Sequence, residues 1–109
     1  MRTIEKGVYK IMATKSIVSN ERVCWVCGTP YGLHKHHVYE GVANRKLSEK
    51  YGCWVYLCGK HHNLDTRAGV QFNKPLDDRL KKCTQECFEA KLGTREDFRR
   101  IFGKSFILD

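Results

Sequence analysis

Proline is scarce, with two in 109 residues, and neither a low-complexity tract nor an internal repeat is present. Together with nine glycines, that composition argues against a disordered tail. Long apolar runs are also missing. No stretch approaches the ~20 consecutive apolar residues of a membrane span. Met1 to Asn20 carries lysines at 6, 10 and 15 and no apolar block, which argues against a signal peptide. A cytoplasmic setting is therefore the expectation, and there six cysteines stay mostly reduced. Acidic residues are in short supply. Twelve Asp and Glu against twenty Lys and Arg give +8 and a pI near 9.3, a balance that points to a polyanionic partner. Residues 1–22 carry +3, 23–73 carry +3 and 74–109 carry +2. The last stretch mixes its signs as a solvated helix face does.

The length suits one small domain, not two, with a core that a structural metal would help to stabilise. Residues 1–22 read as a basic lead-in, 23–73 as the core unit and 74–109 as a helical scaffold. Ile17 and Val18 suggest a short strand. Cys24 to Tyr31 reads as a knuckle turn, with Gly28 and Pro30 placed for a reversal. Leu33 to Tyr39 suggests a strand, and Asn44 to Tyr51 a short helix stopped by Gly52. Cys53 to Cys58 is rich in aromatic and β-branched residues and reads as the clearest strand. A helix or turn starts at His61. Pro75 suits the first turn of a helix that runs to Leu92, with Gly93 ending it. Thr94 reads as the N-cap of a last helix bearing Phe98, Ile101 and Phe102 and closed by Gly103. The fold class is α+β.

Against this background stand five histidines and three of the six cysteines in one pattern: Cys24-x-x-Cys27, His34-x-His36-His37, Cys58-x-x-His61-His62. Zinc takes four tetrahedral thiolate and imidazole ligands, and a two-residue gap lets both members of a pair reach one ion. Cys24 and Cys27 with Cys58 and His61 thus make a Cys₃His structural zinc site. A redox dithiol would explain the first pair and leave the second unexplained. His36, His37 and His62 remain. Neighbours on a strand point to opposite faces, so one of the doublet can hold a metal while the other faces a substrate phosphate. The plainer alternative is that these are surface histidines.

Cys24-x-x-Cys27-Gly28, His36-His37 and Leu57-Cys58-x-x-His61-His62-Asn63 resemble the HNH endonucleases, the His-Me finger or ββα-metal class, in the subgroup braced by a zinc ribbon. The likeness spans Cys24 to Asn63. A looser one, through Gly69 to Asn73, the helix after Pro75, and Phe98 to Phe106, is to small phage and prophage nucleases of the RecA-dependent recombination type. The resemblance implies a small ββα-metal unit braced by a zinc knuckle, with C-terminal scaffold helices. It also implies a metal-dependent DNA endonuclease that leaves a 5′-phosphate and a 3′-hydroxyl. By that pattern His37 is the general base, and His36 and His62 hold a catalytic Mn²⁺ or Mg²⁺ beside the structural Zn²⁺. The pattern's middle asparagine is replaced by Cys53. Asn44 is the candidate substitute, with Asn63 second; a helix N-cap is the other reading of Asn44.

Arg45, Lys46 and Lys50 form a basic rim that suits DNA phosphates or plain solvent. His34 suits a supporting place near the metal site. Cys83 and Cys87, one helical turn apart, suit core thiols, and Trp25 and Trp54 suit packing around the knuckle. The expected partner is DNA, met by a monomer that nicks one strand per encounter. A phage or recombination protein partner is left open, and no organic cofactor or membrane is expected. The alternative function is a non-catalytic zinc-ribbon DNA-binding module, which has no use for the surplus histidines; a thiol redox protein explains none of them.

Overall fold

The computed structural model describes residues 15–108, and the rest of the basic lead-in lies outside them. Strands β1 (Leu33–His37) and β2 (Trp54–Cys58) form a two-stranded antiparallel sheet. Leu33 faces Cys58 at one end and His37 faces Trp54 at the other. Helix α1 (Val42–Tyr51) is inserted between the strands. A single π-helical turn, Lys60–Leu64, follows β2, and helices α2 (Lys74–Lys91) and α3 (Arg95–Phe102) complete the order. Among the described residues no helix is long and apolar enough to cross a membrane.

The helix ends follow local chemistry. Gly52 stops α1 in the left-handed region at φ +74°, and its N–H bonds back to Glu49 O and Ser48 O. A side chain there would be strained, and its Cβ would also strike the Lys15 carbonyl. The Asn73 side chain caps α2 by accepting from Leu76 N at 3.1 Å, with Pro75 in the first turn. Thr94 and Asp97 form a reciprocal capping box on α3: Thr94 Oγ1 accepts from Asp97 N at 3.0 Å, and Asp97 Oδ2 accepts from Thr94 N at 2.9 Å.

The core is aromatic. Phe98 is fully buried, with ring centroids 5.2 Å from Tyr39, 5.3 Å from Phe88 and 4.8 Å from Phe102. Fully burying one such side chain contributes roughly 1.5–3 kcal/mol. Tyr39 donates its hydroxyl to Lys81 O at 2.7 Å, so its polar tip is satisfied inside the core. One buried cluster joins Leu57 and Val55 of β2 with Phe88 and Phe98, and Ile17 and Phe106 pack against it.

Three expectations need correction, and a fourth is narrowed. Ile17 and Val18 form no strand; Ile17 N instead bonds to Gly52 O at 2.9 Å and tacks the segment onto the end of α1. Strand β1 stops at His37: Val38 N still bonds to Cys53 O in register, but Tyr39 N turns to the Ser48 hydroxyl of α1 instead. Of the helix or turn expected from His61, the turn is what forms, one π turn of five residues that begins at Lys60, so the consecutive elements run β-α-β followed by that turn. Gly41, not Asn44, is the N-cap of α1, which puts Asn44 inside the first turn and removes its capping role.

Candidate metal centre and histidine cavity

The knuckle is anchored on the sheet. Cys24 N bonds to Thr29 O and Gly28 N to Cys24 O, each at 2.8 Å, and Trp25 N bonds to Tyr56 O of β2 at 2.9 Å. Gly28 turns the chain at φ +80°. Across from it, Cys58 ends β2 and the π turn brings His61 round beside it. The donor atoms of Cys24, Cys27, Cys58 and His61 all lie within 4.8 Å of one another.

The individual spacings fit one ion. Tetrahedral Zn–S bonds of about 2.3 Å require sulfurs about 3.8 Å apart. Cys27 Sγ and Cys58 Sγ are 3.8 Å apart. With Zn–N of about 2.0–2.1 Å, a sulfur and an imidazole nitrogen sit about 3.5 Å apart. His61 Nδ1 lies 3.3 Å from Cys58 Sγ and 3.8 Å from Cys24 Sγ.

Electrostatics agree with a cation here. Burial opposes a thiolate at Cys24, but N–H donation from the backbone of Cys58, Cys27 and Val26, with the His61 ring, outweighs it and lowers the thiol to about 6. At Cys27, backbone donation from Thr29 favours the thiolate, yet desolvation and the neighbouring Cys24 and Cys58 sulfurs push it up. Three sulfurs this close resist joint ionisation until a positive ion joins them.

The surplus histidines separate by strand face. His34 and His36 share a face with Leu57 and Val55; His37 lies on the other with Trp54. His36 is 7 % exposed, and its Nε2 has no hydrogen-bond partner. Burial, reinforced by the neighbouring His62, lowers its imidazole to about 4, so the ring is neutral, the form that binds a metal. The His62 ring stands 5.3 Å from that of His36, and burial lowers its pKa too. His62 Nδ1 shares a hydrogen bond with His34 Nδ1 at 2.9 Å, and its Nε2 lies 3.2 Å from the Gln71 amide.

At the end of β1 the two faces meet in one cavity of about 250 Å³. His36, His37, His62 and Arg45 line it together with Glu40 and Gln71. His37 and Arg45 also border a hollow of about 290 Å³ with Lys46 and Glu49. His37 Nε2 lies 2.8 Å from Glu49 Oε1, and Lys35 Nζ lies 3.2 Å from both oxygens of that carboxylate. Partial burial opposes ionisation of Glu49, but these two hydrogen bonds outweigh it and hold the carboxyl below its usual range.

Other expected site residues lie apart. Asn44 and the exposed Asn63 are not among the residues lining the cavity, and neither is Lys50, whose Nζ sits over the Tyr51 ring at 5.7 Å. Cys53 is fully buried, and desolvation pushes its thiol far up. Cys83 and Cys87 are half-buried on α2. Trp54 is buried, and Trp25 packs against the core. Sequence reasoning missed Glu49 and Gln71. Helical phase sets Glu49 four residues from Arg45 on one face of α1, but it gives no sign of a partner on β1.

Fold and site together define a small mixed α+β protein with a Cys₃His cluster able to bind a metal such as zinc. No family model matches the chain, and searches of curated proteins and of solved structures return no match.

Proposed function

We propose that the protein is a metal-dependent DNA endonuclease of the HNH kind that nicks duplex DNA. The observation that carries this reading is the shared cavity of His36, His37, His62 and Arg45, built next to a separate four-donor cluster. A zinc ribbon that only binds has no use for that second set. The residue pattern's resemblance to HNH endonucleases supports the same reading, as does the excess of positive charge.

His37 takes the proton of the attacking water, a task that a neutral imidazole performs at cellular pH. His36, with its orphaned buried nitrogen, and His62 would hold the divalent ion, Mn²⁺ or Mg²⁺. When bound, that ion supplies positive charge against the phosphorane and the departing 3′ oxygen. Arg45 holds the DNA backbone at the cavity, Lys46 does so at the adjoining hollow, and Lys50 further along α1. The products are a 5′-phosphate and a 3′-hydroxyl. One cavity per chain cuts one strand per encounter.

Supercoiled plasmid incubated with Mn²⁺ or Mg²⁺ is expected to relax to the nicked circle with wild type. Removing the base in His37→Ala should slow this by roughly 10²–10⁴-fold. Equal cutting by the variant would remove the assignment. A second reading, a non-catalytic zinc-ribbon DNA-binding module, draws on the contacts of His62, both of whose ring nitrogens already have protein neighbours. That reading predicts plasmid binding with no cutting under any divalent ion.

A further inference from the structure

We propose that Glu49 is a positioning residue for His37: its carboxylate holds the imidazole with Nε2 protonated and Nδ1 bare. The inference rests on the nuclease reading of His37 as base, and it assigns a role to a residue outside the histidine and cysteine pattern.

An ionised carboxylate only accepts hydrogen bonds. A ring nitrogen 2.8 Å from Glu49 Oε1 must therefore carry the hydrogen, and that nitrogen is Nε2. In a neutral imidazole the second nitrogen is then a lone pair. No described residue hydrogen-bonds to Nδ1 of His37, so the lone pair is left to accept a proton.

The carboxylate is itself fixed. Lys35 Nζ reaches both of its oxygens at 3.2 Å and lies 4.1 Å over the Trp54 ring. Glu49 stands on the last turn of α1, beside the buried Ser48 and three residues before the Gly52 cap. Trp54, Lys35, Glu49 and His37 thus form a continuous chain of contacts along one face of the sheet. An ordinary surface ion pair between mobile side chains fixes no tautomer. Here the His37 and Glu49 side chains are only 25 % and 32 % exposed, and the carboxylate is gripped from two sides.

Two measurements on the zinc-loaded full chain decide the matter. The first is ¹⁵N correlation NMR of the imidazoles at a pH where His37 is neutral. Wild type should show His37 protonated at Nε2, and Glu49→Ala a mixture of tautomers. The second is plasmid nicking in Mn²⁺. Glu49→Ala should lower kcat roughly 10- to 100-fold with KM little changed. Glu49→Gln, whose amide oxygen still accepts from Nε2, should keep most of the rate. If Glu49→Ala does not fold, the wild-type tautomer and the Glu49→Gln rate carry the test. His37 protonated at Nδ1 in wild type, or Glu49→Ala nicking at the wild-type rate, overturns the inference. An active wild type with an unaffected variant removes the role of Glu49 alone. A wild type that nicks nothing removes the nuclease reading, and this inference with it.

Discussion

Stripping the metal from Cys24, Cys27, Cys58 and His61 should remove most of this chain's stability. Two estimates bracket the loss. Cys24 and Cys58 stand 34 residues apart in sequence. A cross-link closing a loop of that length withholds about 4 kcal/mol of entropy from the unfolded chain, on the loop-closure model used for disulfides. Structural zinc in small fingers contributes about 10–16 kcal/mol at neutral pH. A 109-residue domain has only about 5–16 kcal/mol in total. Even the lower figure corresponds to a fall of about 15 °C in melting temperature, and the upper one to unfolding at ambient temperature. Acid should act in the same direction. The folded chain holds the Cys24 thiol at about 6 against an ordinary 9.0, so this thiolate's contribution is complete above about 9 and is lost as pH falls through about 6. The assay is thermal melting by circular dichroism at neutral pH with stoichiometric zinc and after a strong chelator, beside a colorimetric count of zinc released. One ion per chain is expected. A chain emptied of metal that melts within about 3 °C of the loaded form would refute the argument, because the cross-link alone is worth several times that shift.

Two further outcomes follow from packing and capping. Phe98→Ala empties the centre of the Tyr39, Phe88 and Phe102 cluster and should cost about 3–5 kcal/mol in urea unfolding of the metal-loaded chain. A loss under about 1 kcal/mol would mean that the aromatic core is not the scaffold described. Thr94→Ala deletes the hydroxyl that accepts from Asp97 N and should cost about 1 kcal/mol, while Thr94→Ser should lose little.

Local signals survived from sequence to structure, and cross-element ones did not. Gly52, Pro75, Thr94 and Gly103 each act through their own turn of backbone, so their positions alone announce where helices start and stop. The Cys₃His cluster was equally legible, because its donors come as two pairs with a fixed gap. The segment after β2 was legible only as a helix or a turn from His61. The turn is what forms, because His61 swings toward Cys58 while Val70 N and Gln71 N return to the carbonyls of His61 and His62. That folding-back holds the segment to one turn. Glu49 was invisible for a different reason. Its partner His37 is twelve residues away on another element, and no sequence spacing encodes the angle at which a helix crosses a strand.

Helix α1 does more than join two strands. In a hairpin the turn sets the register. Here the register of β1 against β2 is handed on by the helix through Ser48, whose carbonyl accepts from Cys53 N and whose hydroxyl accepts from Tyr39 N, while Val38 N to Cys53 O joins the two segments beyond the strands. The helix is therefore a phase gauge. One residue inserted between Arg45 and Glu49 would turn Glu49 by about 100° relative to Arg45 and aim its carboxylate away from His37. Tolerance to length change should accordingly be low within α1 and far higher at the exposed Thr66 to Arg67 bend, where no strand takes its alignment from the chain.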